Sequence, residues 1–270
     1  LESGGLAVVD AVALQQIDMR PDTENAATDG TKGVNTLELP PGSKPFDLIT
    51  DSEGRRLYVS DARNGAVYVV DIDPFSPEYH QVISTITIPF AAGGVRGLGQ
   101  IGLRGLAIDA TGDRLFVASP GQDLFQFGGG DGAIVSIKLR DDAGALIETP
   151  AFDPDDVGAV TPVGPGPYEI TATDDPDVML IADRVSDSDG LTILRRQEEG
   201  PWLFDSVSFV DFGAIPRLVE GRGTHVHGVS NAQGVDYVPA NTFEHLIGEH
   251  PASAVVSGYR KFTQNDPKAD

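Results

Sequence analysis

Two histidines stand two residues apart in "THVHGVS", His225 and His227. In an extended strand that spacing puts both imidazoles on one side, which is how a chain can begin a divalent-metal site. No third ligand stands in a matching pattern. "DRVSDSDG", Asp183 to Gly190, resembles part of a calcium loop, because alternate Asp residues before a Gly can wrap oxygens around a hard cation. The acidic residue that should close such a loop is replaced by Leu191 to Arg196, so an Asp-Gly hairpin turn accounts for it better. "QFGGGDG", Gln126 to Gly132, has neither the Lys-Ser/Thr nor the strand-to-helix setting of a phosphate loop and reads as a long blade loop. With 41 acidic residues, no carboxylate couple can be singled out as an acid and base, and no Ser-His-Asp or nucleophile-elbow context occurs.

The surroundings of these residues are set by composition. The 270 residues are 40% hydrophobic, mostly short runs of Val, Ile and Leu broken by 32 Gly, 19 Pro and many Asp, a pattern typical of all-β chains with frequent turns. A net charge of -22 repels phosphate backbones and anionic lipid, so no nucleic-acid partner is expected, and no apolar run has the length that membrane insertion needs. The absence of cysteine excludes disulfides, thiolate metal sites and thioether-linked haem. The opening "LESGGLAVVD" reads as the start of a processed or excised part of a longer chain, with other domains as expected neighbours.

The elements that would position a site emerge when the sequence is laid against itself. "PFDLITDSEGRRLYVSD" from Pro45 aligns without a gap on "LRGLAIDATGDRLFVAS" from Leu103 and "PYEITATDDPDVMLIAD" from Pro167, and loosely on "VHGVSNAQGVDYVPA" from Val226. Each copy reads as two apolar strands around a turn. A third strand follows each hairpin ("NGAVYVVD", "DGAIVSIKL", "DGLTILRR", "ASAVVSGYRKF"), and a variable fourth follows that, as in "QVISTITIP" and "WLFDSVSFV". "GGLAVVD" at Gly4 to Asp10 matches Gly65 to Asp71, so the chain begins within a repeat; Asp10 and Asp71 are expected to cap turns. Four antiparallel strands in about 60 residues, apolar on both faces, cannot stand alone, and such sheets stacked around an axis form a β-propeller.

"KPFDLITDSEGRRLYVSDARNGAVYVVDID", Lys44 to Asp73, resembles the repeat of the YVTN/NHL-like β-propeller superfamily, and "VHGVSNAQG" resembles the opening of such repeats with Val226 in place of Pro. The resemblance implies an all-β propeller of four-stranded antiparallel blades, about four to five of them covered. The expected division is a blade part at 1–41, blades at 42–99, 100–163 and 164–222, a part at 223–262 and a tail at 263–270. Rings of this family have six to eight blades, so the expected whole is larger than this chain; the other possibility is a small ring closed by pairing the N-terminal strands with the C-terminal ones.

The first residues of the innermost strands, Phe46, Arg104, Tyr168 and His227, would then line one mouth of the central channel, a mixed apolar and cationic setting for a small ligand or peptide. Packing between blades is the competing role for the same four. The expected function is a noncatalytic scaffold or recognition module of an exported protein, whether extracellular, cell-surface or periplasmic, binding a protein, peptide or glycan partner without a cofactor. The alternative implied by related propellers is a lactonase-like metal-dependent hydrolase with a divalent cation in the channel. That would need a Glu/Asn/Asp set facing the axis, which Glu169, Asp47 and Asn231 do not visibly assemble in the sequence, besides His225 and His227. A quinone-dependent dehydrogenase is disfavoured by the single Trp202.

Overall fold

A computed structural model of the chain describes residues 4–17, 36–89, 91–92, 95–96, 98–99, 102–121, 132–163, 166–183, 190–197, 204–211, 230–238 and 253–259. Its first two repeat hairpins close on the same turn. Asp51 Oδ1 accepts the Arg55 N–H at 2.8 Å, Gly54 N–H donates to the Asp51 carbonyl, and Gly54 takes φ +66°. In the next copy Asp109 Oδ1 accepts the Asp113 and Arg114 N–H groups, and Gly112 takes φ +75°. An Asp that caps its own turn and a Gly in the left-handed region are what the Asp-x-x-Gly spacing supplies. The third copy lacks that Gly and uses Thr173, whose hydroxyl accepts the Asp175 N–H.

Strands run in chain order as follows. Four short ones come first: β1 (Gly5–Leu6), β2 (Val9–Asp10), β3 (Gln15–Gln16) and β4 (Leu37–Glu38). The first full blade is β5 (Pro45–Thr50), β6 (Arg56–Asp61), β7 (Ala66–Asp71) and β8 (Val82–Thr87), a meander in that spatial order. A small pair, β9 (Ala91–Ala92) and β10 (Val95–Arg96), leads to the second blade, β11 (Leu106–Ile108), β12 (Arg114–Ser119), β13 (Gly132–Lys138) and β14 (Val160–Val163). The third is β15 (Pro167–Ala172), β16 (Val178–Asp183), β17 (Gly190–Arg196) and β18 (Phe204–Asp211), and β19 (Ser230–Val238) pairs with β20 (Ser253–Tyr259). Every regular element among the described residues is a strand, and all pairings are antiparallel.

Alternate residues of one strand go to opposite neighbours, which fixes how the blades stack. On β6, Tyr58 joins Val67, Val69 and Ile86 in a core shared with Leu115, Val117, Val135 and Ile137 of the second blade. Its neighbour Val59 packs the other way, with Val70, against Leu37 and Leu39 of the N-terminal pair. On β12, Leu115 and Val117 face the first blade while Phe116 and Ala118 face Ile170, Met179, Ile181 and Phe204 of the third. Sheets covered on both faces by successive sheets, with first strands β5, β11 and β15 side by side, make a β-propeller.

The leading strands behave as the third and fourth strands of an earlier blade only in part. Leu6 pairs with Leu37 as Val67 pairs with Ile86, in agreement with the repeat. Beyond Val8, however, Val9 and Asp10 turn back on Gln15 and Gln16, because Asp10 Oδ1 accepts the Val12 and Ala13 N–H groups and closes a hairpin there. The fourth repeat also differs. The repeat places a turn within "VHGVSNAQGVDYVPA", yet β19 runs from Ser230 to Val238, with register shifts between Ser230 and Ala232 and between Ala232 and Gly234. β19 lies against β15 and β16, as β15 lies against β11 and β12.

Two-sided burial predicts a sharp contrast on urea unfolding. Phe116→Ala should lose about 3–5 kcal/mol. Leu48→Ala, on a strand of the same blade system but 56% exposed, should lose no more than about 1 kcal/mol.

Candidate functional site

The inner strands reach one another at their first residues. The Phe46 and Tyr168 rings meet edge to face with centroids 5.1 Å apart at 88°. The Arg104 guanidinium carbon stands 5.2 Å from the Phe46 centroid and 6.0 Å from that of Tyr168. Three residues from three repeats, 58 and 64 positions apart in the sequence, thus form one cation–π cluster, which suits the weakly hydrated planar guanidinium. His225 and the fourth expected member, His227, lie outside the described residues, as do residues 184–189 and 122–131 of the two acidic and Gly-rich loops.

Backbone irregularity places these side chains. The β5–β6 register shifts between Pro45 and Leu48, and the β15–β16 register shifts at the equivalent place, between Pro167 and Glu169. A bulge breaks strict up-and-down alternation: Phe46 and Asp47 fall outside the β5–β6 pairing, and Tyr168 is skipped in β15 while Glu169 stays paired with Ala182. In the second blade Arg104 N–H donates to the Ala118 carbonyl, and Gly105 N–H crosses to the Tyr168 carbonyl at 2.8 Å. Gly105 is glycine for space: a Cβ would stand 2.8 Å from Glu169 Cα and 2.8 Å from Ile170 N.

Next to the aromatic cluster lie two carboxyl groups that the sequence could not assemble. Asp47 Oδ2 accepts the Leu106 N–H of the second blade at 2.7 Å, and Oδ1 accepts the Leu48 N–H. Burial raises the Asp47 carboxyl above its usual range while these two bonds pull it down. Glu169 is pushed up to about 8, first by burial and then by the negative charge of Asp47. Near neutral pH Glu169 is therefore held mostly as the neutral acid, within the field of Asp47. Asn231, the third residue considered for such a set, falls on β19. Among the described residues no group of three His, Cys, Asp or Glu side chains is placed to hold a metal.

The neighbouring strand ends are structural. Asp61 is fully buried; its Oδ1 accepts the Lys44, Arg63 and Asn64 N–H groups, and its Oδ2 accepts the Tyr68 hydroxyl at 2.6 Å. Its repeat equivalents are Ser119, whose hydroxyl accepts the Gly99 N–H, and Asp183, which accepts the Thr192 hydroxyl at 2.5 Å. Burial raises Asp183 to about 7. Asp71, by accepting the Asp73 N–H, caps a turn as Asp10 does.

The sequence matches no protein-family model and no curated protein. Among solved structures the chain is similar to a candidate 6-phosphogluconolactonase of Bacteroides fragilis, at 18% identity and TM-score 0.45, over 67% of this chain and 46% of that one. It is similar to the periplasmic gluconolactonase of Pseudomonas aeruginosa at 23% identity and TM-score 0.44, over 67% and 46%. A protein from Lactobacillus plantarum matches at 18% identity and TM-score 0.44, over 69% and 47%. The chain spans about half the length of each of these structures. The propeller class rests on the blades themselves.

The sign of the Glu169 shift gives a pH test. Its folded-state pKa of about 8 lies above the ordinary 4.5, so its contribution to stability is complete below the ordinary value and is lost as pH rises through about 8. Glu169→Gln, always neutral, should lose less of its urea midpoint than the native chain between about pH 5 and pH 9. Gly105→Ala should push β15 away, cost about 1–3 kcal/mol, and remove ring-to-ring NMR contacts between Phe46 and Tyr168.

Proposed function

We propose that this propeller is a noncatalytic recognition module of an exported protein, acting at the cell surface, outside the cell or in the periplasm. Its axial centre of Phe46, Arg104 and Tyr168 takes up a segment of a protein or peptide partner. The observation that carries this reading is Arg104 set against two aromatic rings at the junction of three blades. The guanidinium, whose Nη1 donates to the Leu103 carbonyl at 2.9 Å, brings positive charge and the rings bring apolar surface, the combination enriched where partners anchor. Phe46 is 36% exposed, so part of that surface faces solvent. The strongly acidic composition supports a place among cation-rich surroundings, and the Lys44–Asp73 repeat supports membership of the YVTN/NHL-like group.

A hydrolytic reading draws on one specific feature, the Glu169 carboxyl, pushed up to about 8 by burial and by the charge of Asp47, which suits a general acid. It would show as turnover of lactone substrates that Glu169→Gln lowers at least about 100-fold.

The recognition reading is tested by screening the protein against a peptide library and repeating the titration with Arg104→Ala. Binding should weaken at least about 10-fold with Arg104→Ala, and about as much with Phe46→Ala, while thermal midpoints hold. Lactone turnover by the native protein, or peptide binding indifferent to both substitutions, would sink it.

A further inference from the structure

Far from the axis, the outermost strands of the N-terminal pair and the first blade leave a groove of about 500 Å³ between them. Thr36 and Glu38 line it from the β4 side; Tyr79, His80 and Gln81 line it from the loop before β8, and Val82 from β8 itself. The Tyr79 phenol is 42% exposed and stacked on the His80 imidazole, with centroids 3.6 Å apart and planes 25° apart.

The aromatic shelf is built by the backbone. His80 has φ +63°, in the left-handed region where a non-glycine residue is mildly strained. Four main-chain bonds hold the segment there: His80 N–H to the Asp71 carbonyl, Asp71 N–H to the Gln81 carbonyl, Gln81 N–H to the Glu78 carbonyl, and Tyr79 N–H to the Ser76 carbonyl. Strain retained at the wall of a groove is a reason to ask what the groove holds.

The geometry points to a neutral-carbohydrate site at this rim, with Tyr79 as the platform for one sugar ring. The C–H face of a pyranose is apolar and flat enough to lie on a phenol ring, while its hydroxyls need both donors and acceptors around the edge. Glu38 supplies acceptors, Gln81 and Thr36 supply both kinds, and His80, whose pKa is lowered by burial, presents a neutral imidazole with one of each. Wall groups of this kind, mostly polar around the Tyr79 ring, match a polyol better than an apolar peptide side chain. Net charge -22, with Glu38 in the wall, selects against uronic, sialic and sulfated sugars. This site rests on the reading of the chain as a recognition module but shares no residue with the axial centre.

The test uses the full chain and four neutral disaccharides, maltose, cellobiose, lactose and N,N′-diacetylchitobiose, each at about 10 mM, where a millimolar site is filled. At least one should receive saturation transfer and shift the Tyr79 ring signals. Tyr79→Ala and His80→Gly should each lower the transfer at least about 10-fold with the unfolding midpoint held or, for His80→Gly, raised by relief of φ strain. Arg104→Ala should leave it unchanged, which separates failure here from failure of the axial reading. Transfer to none of the four sugars, equal transfer with Tyr79→Ala, or displacement of the sugar by peptides bound at Arg104 would overturn the assignment.

Discussion

Leu115 and Phe116 are neighbours on one strand, point to opposite faces of one sheet, and are both wholly buried. That is possible only if a second layer lies on each side of the sheet, and a layer with the same demand hands it on to the next. Helices could cover both faces of a parallel sheet, but these strands are antiparallel and no helix is formed among the described residues. Sheet therefore covers sheet, and twist turns the stack about an axis. Burying a side chain the size of Leu or Phe is worth roughly 1.5–3 kcal/mol, and the second blade draws on both of its neighbours for that burial.

The ends of the strands solve a different problem, the pairing of backbone groups where the ladder stops. Asp51 and Asp109 satisfy N–H groups of the turn they begin, and Asp61 satisfies that of Lys44 just before β5 and those of Arg63 and Asn64 between β6 and β7. Charged ties cross between blades at the inner strands, where Asp47 accepts the Leu106 N–H, and elsewhere too. Arg140 meets Glu53 at 2.7 Å, and the Arg56 guanidinium donates to the Ile147 carbonyl. Partly exposed pairs of this kind contribute little to stability, so they are better regarded as fixing blade orientation than as holding the ring together.

The axial centre depends on how closely the inner strands approach. Gly105 lets β15 come within bonding distance of the second blade, and register shifts take Phe46 and Asp47 out of the ladder in β5 and Tyr168 in β15. Closeness then changes chemistry: burial first, and the negative charge of Asp47 second, push the Glu169 carboxyl up to about 8. The rim groove shows the same rule at a different radius, where meeting of outer strands places Tyr79 and His80 opposite Glu38.

The sequence by itself determined the strands, the turns of the first two full copies and the two-sided burial, because apolar spacing and the Asp-x-x-Gly signal are local, and the spacing repeats about every 60 residues. Phe46, Arg104 and Tyr168 could be grouped for the same reason: equal places in equal repeats are brought to the same end of the fold. What the repeat could not convey was where the pattern lapses, at the hairpin after Val8 and along β19, since hydrogen bonds of Asp10 and a bulged pairing with β20 override it there. Nor could it reveal that Asp47 touches Leu106 or raises the pKa of Glu169. Those relations depend on distance through space between separate blades, a quantity set by bulges and by the missing Cβ of Gly105, and only tertiary packing decides it.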